Sequence, residues 1–119
     1  MGRSILVVTD HPAFGRLLRV LLEYEGFAAD VMLPGADALA RARTDRPDLL
    51  LLDLGRPDSS VEEAAQALYE ALPEVPVILL ADPSRQRRLR RQFERAETVE
   101  GGDVVAVVAA VRRALGEGA

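Results

Sequence analysis

The chain of 119 residues has no cysteine, no lysine, no tryptophan and a single histidine, His11. Without cysteine neither a disulfide framework nor a thiolate metal site can form, and one histidine cannot make a histidine metal cluster. The apolar runs are far shorter than the roughly 20 residues that cross a bilayer, and the amino terminus lacks a signal-peptide pattern. We therefore expect a cytoplasmic protein with no membrane partner and no zinc or thiol chemistry.

The patterning of the chain predicts five repeats of a strand followed by a helix. A length of 119 residues suffices for one domain with its own core and is too short for two, so we expect a single domain over residues 1–119. Runs rich in leucine or valine alternate with segments whose apolar residues recur at helical spacing. The predicted strands cover residues 5–8, 28–32, 48–54, 75–80 and 97–100.

Strands separated by helices pair in parallel through right-handed crossovers, with helices on both faces of the sheet. The first, third and fourth runs are continuously apolar, which is typical of central strands, whereas the second and fifth are polar enough for edges. The predicted fold is therefore α/β: a flavodoxin-like (βα)5 three-layer sandwich with strand order 2-1-3-4-5. Ligands should bind at the switch point between strands one and three.

Two carboxylates follow the neighbouring first and third strands. Asp10 comes after "ILVVT" and Asp53 after "LLLL". Because adjacent strands lie about 4.8 Å apart, these carboxylates can share one hard divalent cation at the carboxyl edge of the sheet. The alternative is that Asp10 only helps to cap the first helix and that Asp53 is an ordinary residue at a strand end.

Two stretches of the sequence resemble the receiver domain of two-component response regulators. "ILVVTDHPAFGRLLRVLLEYEGF" is similar to its first strand and helix, and "RPDLLLLDLGRPD" to its phosphoacceptor strand and loop. The resemblance implies a role in phosphorelay signal transduction, in which Asp53 accepts a phosphoryl group from a histidine kinase. It also implies that Mg²⁺ is bound by the side chains of Asp10 and Asp53 and by the main-chain carbonyl of Gly55.

The sequence departs from the family pattern at three positions. Thr9 replaces one of two acids after the first strand, Ala81 replaces a hydroxyl residue after the fourth, and Glu100 replaces a lysine after the fifth. A carboxylate about 4 Å from a phosphoryl oxygen would cost on the order of 4 kcal/mol at an effective dielectric constant of 20. We therefore expect a weakened Mg²⁺ site and weak or no phosphorylation, unless Arg56 or Arg85 supplies positive charge.

An arginine-rich segment, Arg85 to Arg95, is predicted to be one helix with a thin apolar stripe and loose packing. It could bind an acidic protein or nucleic acid. The net charge of −4, the isoelectric point near 5.0 and the five aromatic residues disfavour nucleic acid. In receiver domains the fourth helix, fifth strand and fifth helix commonly form the output and dimer surface, so the resemblance implies a homodimer contact here.

The leading hypothesis is a stand-alone receiver domain that is not an enzyme and that acts on a histidine kinase or another signalling protein. No effector segment follows the fifth predicted helix, so output would pass through another protein. The alternatives are a small flavodoxin-like metal-dependent phosphatase or ligand binder that uses Asp10 and Asp53, and a nucleic-acid binder that uses the Arg85 to Arg95 segment.

Overall fold

The computed structural model describes residues 2–55 and 59–116, without the side chains of residues 59 and 60. Five strands alternate with five helices along the chain. The strands are β1 (Ser4–Val8), β2 (Ala28–Met32), β3 (Leu49–Asp53), β4 (Val77–Leu80) and β5 (Glu97–Val99). The helices are α1 (Pro12–Tyr24), α2 (Ala36–Thr44), α3 (Ser59–Ala71), α4 (Pro83–Gln92) and α5 (Val104–Ala114).

All strand pairs are parallel, and the sheet order is β2-β1-β3-β4-β5, which confirms the predicted topology. The continuously apolar strands β1, β3 and β4 are central, because each is covered by helices on both faces. The more polar β2 and β5 form the edges. No helix in the described ranges is long and apolar enough to span a membrane.

The side chains of β3 alternate between two hydrophobic cores, one on each face of the sheet. Leu50 and Leu52 belong to the core built with α2, α3 and α4. Leu49 and Leu51 belong to the core built with α1 and α5. Asp53 is the next residue of the same strand, so it lies where this fully buried strand reaches the carboxyl edge of the sheet.

The ends of β1, β3 and β5 differ from the sequence-based prediction by one residue, and β4 and α4 differ by more. β4 begins at Val77 rather than at residue 75, because Pro76 has no N–H to donate to a neighbouring strand. α4 ends at Gln92, so Arg95 lies beyond the helix rather than on it. Loose packing of α4 is also wrong, since Leu89 and Phe93 are completely buried and the Phe93 ring packs edge-on against Tyr69 with centroids 5.1 Å apart.

Candidate functional site

The carboxyl ends of β1 and β3 meet at one edge of the sheet. The register pairs Val8 with Leu52, which places Thr9 opposite Asp53 and Asp10 one residue further along. Parallel neighbours in register bring their carboxyl ends to the same side, as the sequence pattern predicts. The residue that faces Asp53 across the strands is therefore Thr9.

Asp53 is a buried carboxylate held by two hydrogen bonds. The hydroxyl of Thr9 donates to Oδ2 at 2.7 Å, and the backbone N–H of Gly55 donates to Oδ1 at 2.9 Å. Asp53 is only 5% exposed and Thr9 only 1% exposed. Because an ionised buried group is costly without partners, these two donors explain how the strand can end in an acid.

A pocket of about 320 Å³ opens beside Asp53. Its walls come from the segments after β1, β3, β4 and β5, which is where ligands bind in open α/β sheets. The lining residues are His11, Phe14, Asp53, Gly55, Leu80, Ala81, Asp82, Glu100, Gly101 and Gly102. The pocket therefore combines an acidic rim with an apolar wall.

The pocket places Ala81 and Glu100 together with Asp53, although the two residues lie after different strands. Ala81 is buried and directly follows β4, and Glu100 is exposed and directly follows β5. Asp53, Asp82 and Glu100 give the pocket three carboxylates, and His11 is the only basic side chain among its described lining residues. Among the described lining residues, carboxylates thus outnumber basic side chains, which disfavours an added anion.

Asp82 caps the amino terminus of α4 at the rim of the pocket. Its side chain accepts hydrogen bonds from the backbone N–H and the hydroxyl of Ser84 and from Nε of Arg85. The hydrogen bond from the Ser84 hydroxyl, reinforced by Arg85, lowers the pKa of Asp82 below its ordinary value. Arg85 also lies 3.7 Å from Glu62, so it is held by these carboxylates rather than placed among the lining residues.

Asp10 lies at the same edge as Asp53 but does not line the pocket, and it has no hydrogen bond to another described residue. Within residues 2–55 and 59–116, no group of three or more histidine or acidic side chains is arranged to hold a metal ion. The backbone N–H of Gly55 is bonded to Asp53, and the predicted role of the Gly55 carbonyl as a Mg²⁺ ligand stays a prediction. Arg56, the other predicted source of positive charge, lies outside the described residues.

Most arginines of the Arg85 to Arg95 segment are engaged within the fold. Arg88 forms a two-pronged ion pair with Glu62 at 3.0 and 3.1 Å, which raises the pKa of Arg88, and Arg90 donates to Thr98 at 3.0 Å. Arg87 and Arg91 are exposed, and their side chains have no hydrogen bond or ion pair to another described residue. Four of the six arginines of this segment are therefore engaged within the described part of the fold.

Sequence reasoning missed the apolar side of the pocket. Phe14 lies on α1 and looks like a core residue of that helix, and Gly101 and Gly102 look like a simple turn. In the fold, a Cβ on Gly101 would lie 3.7 Å from the Phe14 ring, so the helix and the loop form one wall. No spacing rule connects residues that are so far apart in the chain.

Comparison with known proteins gives one family. A family model described as response regulator receiver domain matches residues 5–101. The probable transcriptional regulatory protein TcrX of Mycobacterium tuberculosis is 36% identical over 77 residues, which is 65% of this chain and 33% of that protein. The chain thus spans about a third of the length of this curated relative.

Two solved structures of the same family are similar to this chain. The crystal structure of a response regulator receiver protein from Burkholderia phymatum is 29% identical, with a TM-score of 0.76 and coverage of 98% of both chains. The crystal structure of histidine kinase ThkA in complex with response regulator protein TrrA matches at 27% identity and a TM-score of 0.73, covering 95% of this chain and 98% of that chain. Both matches extend over nearly the whole chain.

Proposed function

The chain belongs to the response regulator receiver domain family, and on that premise we propose that it is an atypical receiver whose phosphoacceptor, Asp53, is weak or inactive. Receiver domains are signalling modules of two-component systems, are generally non-enzymatic, generally bind Mg²⁺ at the phosphorylation site and interact with histidine kinases.

The observation that carries the proposal is the pocket that brings Ala81 and Glu100 to Asp53. In phosphoryl transfer, a carboxylate oxygen of Asp53 bonds to phosphorus while the bond from phosphorus to the donor breaks, and the donor leaves with that electron pair. Positioning and positive charge supply most of the catalysis of such a transfer. Here Ala81 offers no hydroxyl to the phosphoryl oxygens, and Glu100 repels them.

We propose that Mg²⁺ binds weakly at this edge, through Asp10, Asp53 and the carbonyl of Gly55. Carboxylate and carbonyl oxygens are the hard ligands that Mg²⁺ takes in proteins, so the donor types fit this ion. This ligand set has one carboxylate fewer than the family pattern, because the residue beside Asp53 is Thr9, which donates a hydrogen bond to Asp53 instead. When bound, the cation would neutralise charge on the carboxylate and phosphoryl oxygens.

We propose that the domain, residues 1–119, acts by binding other proteins in the cytoplasm rather than as an enzyme. A histidine kinase is the first candidate partner, because the matching TrrA structure is a complex with histidine kinase ThkA. A homodimer through α4, β5 and α5 is a prediction from the family resemblance. Nucleic acid is disfavoured because most arginines of the α4 region are engaged internally.

Intact-mass measurement after incubation with acetyl phosphate and MgCl₂ tests the proposal. We expect a minor phosphoryl adduct or none on the wild-type protein, and no adduct on Asp53→Asn. The companion variant Asp10→Asn removes a proposed Mg²⁺ ligand but keeps the acceptor, so it should lower any wild-type adduct. A stable, near-complete adduct on wild-type protein that Asp53→Asn removes would contradict the atypical assignment. An adduct that persists in Asp53→Asn would contradict Asp53 as the acceptor.

A further inference from the structure

The hydroxyl group of Thr9 makes two hydrogen bonds at the carboxyl edge of the sheet. It donates its only proton to Oδ2 of Asp53 at 2.7 Å and accepts the backbone N–H of His11 at 3.0 Å. Thr9 is 1% exposed, so water does not compete for these bonds. The two hydrogen bonds of Thr9 therefore link the end of β1, the start of α1 and the end of β3 in one network.

The orientation of Thr9 is fixed by packing on its other side. A Cβ added to Gly15 would lie 2.9 Å from Cγ2 of Thr9 and 2.5 Å from Cγ1 of Val31. α1 thus carries a glycine in its interior, against helix propensity, where the Thr9 methyl group approaches the helix backbone. With the methyl group held against Gly15, the staggered geometry at Cβ points the hydroxyl toward Asp53.

The charge of Asp53 is balanced by hydrogen-bond donors and not by a described cationic side chain of the pocket. The Thr9 hydroxyl and the Gly55 N–H each donate to one of its two oxygens. Because each carboxylate oxygen has two acceptor sites, the Thr9 proton does not exclude a divalent cation from Oδ2 but reduces the stabilisation that the cation could add there. Thr9 and a cation are therefore alternatives for stabilising the same buried charge.

We propose that Thr9 is a positioning residue that takes the place of a divalent cation at Asp53, so that the resting domain holds its acceptor carboxylate without Mg²⁺. This inference deepens the proposed function, since it concerns the same carboxylate. It separates two roles that a cation combines, because the hydroxyl fixes the position of Asp53 but adds no positive charge for an incoming phosphoryl group.

Thermal unfolding of Thr9→Val, with Thr9→Ser as the matched control, tests this role in EDTA and in millimolar MgCl₂. Valine keeps the branched shape but removes the hydroxyl, so we expect the unfolding midpoint in EDTA to fall by about 3 °C or more. MgCl₂ should recover a large part of that loss, and Asp53→Asn in the Thr9→Val background should abolish the recovery. Wild type should show the same midpoint in EDTA and in MgCl₂, and Thr9→Ser, which keeps the hydroxyl but loses a buried methyl group, should show a lower midpoint that MgCl₂ does not raise.

A titration with MgCl₂ followed by the amide NMR signals of His11 and Gly55 gives a second readout. Thr9→Asp should bind Mg²⁺ at least about tenfold more tightly than wild type, because it adds a carboxylate ligand in place of a proton donor. Equal Mg²⁺ affinity of wild type and Thr9→Asp, or an unchanged midpoint for Thr9→Val, would overturn the inference. Neither readout involves phosphoryl transfer, so its failure is distinguishable from failure of the proposed function.

Discussion

Cγ2 of Thr9 lies 2.9 Å from the position that a Cβ on Gly15 would occupy. This contact packs the carboxyl end of β1 against the interior of α1. It also orients the Thr9 side chain so that its hydroxyl faces Asp53. A substitution at Gly15 should therefore affect Asp53 indirectly, by displacing the side chain of Thr9.

Gly15→Ala should destabilise the protein by about 1 to 3 kcal/mol, because the added methyl group also meets Val31 at 2.5 Å and overpacks the helix–sheet contact. Alanine is the better helix former by about 1 kcal/mol, so propensity alone predicts the opposite sign. Urea unfolding measures the difference. Gly102→Ala is the control, since a Cβ there meets nothing within 4 Å. A Gly15→Ala protein more stable than wild type would show that α1 can shift freely.

Arg95→Ala should destabilise the protein by about 1 to 2 kcal/mol. Its guanidinium donates to the backbone carbonyls of Pro73 and Tyr69 at 2.7 and 2.8 Å and lies 4.0 Å from the centre of the Tyr69 ring. Arg91→Ala, which removes the same charge from an exposed position, should have little effect on the free energy of urea unfolding. Equal effects of the two substitutions would mean that Arg95 is a surface charge like Arg91.

Asp82→Asn should change how stability depends on pH in the acid range. The pKa of Asp82 is lowered in the folded protein by the Ser84 hydroxyl and Arg85, below the ordinary value of 3.8. Its contribution is therefore present above pH 3.8 and is lost as the pH falls through the lower folded pKa. The difference in unfolding midpoint between wild type and Asp82→Asn should shrink as the pH falls from about 5 to about 2.5, because aspartate side chains become protonated in this range. A difference that stays constant over this range would contradict the role of the ionised cap.

The strands, their order and the position of Asp53 could be predicted from the sequence because the signals are local. A continuous apolar run marks a strand buried on both faces, and its first acid marks the exit of that strand. The bond between Thr9 and Asp53 could not be predicted, because it depends on the register of two strands 44 residues apart. The family resemblance implied only that Thr9 replaces an acid.

For the arginine-rich segment, Arg85 to Arg95, the sequence pattern predicted the buried face but not the tertiary contacts. Helical spacing correctly placed Leu89 and Phe93 on one face, but it could not show that the helix ends once Phe93 enters the core. It also could not show that Arg95 binds the end of α3, since Tyr69 and Arg95 are 26 residues apart. The sequence shows how many arginines the segment has, but whether an arginine can bind another molecule depends on its contacts in the folded protein.

The central claim is that the residues around Asp53 make it a poor phosphoacceptor. The most direct measurement is the fraction of protein that carries a phosphoryl group, by intact mass, for wild type and for Ala81→Ser combined with Glu100→Lys, at equal acetyl phosphate and MgCl₂. A hydroxyl and a cation at these positions should raise the adduct at least about tenfold, with the gain lost in Asp53→Asn. An equal adduct on both proteins, whether high or absent, would contradict the claim that Ala81 and Glu100 set the reactivity of Asp53.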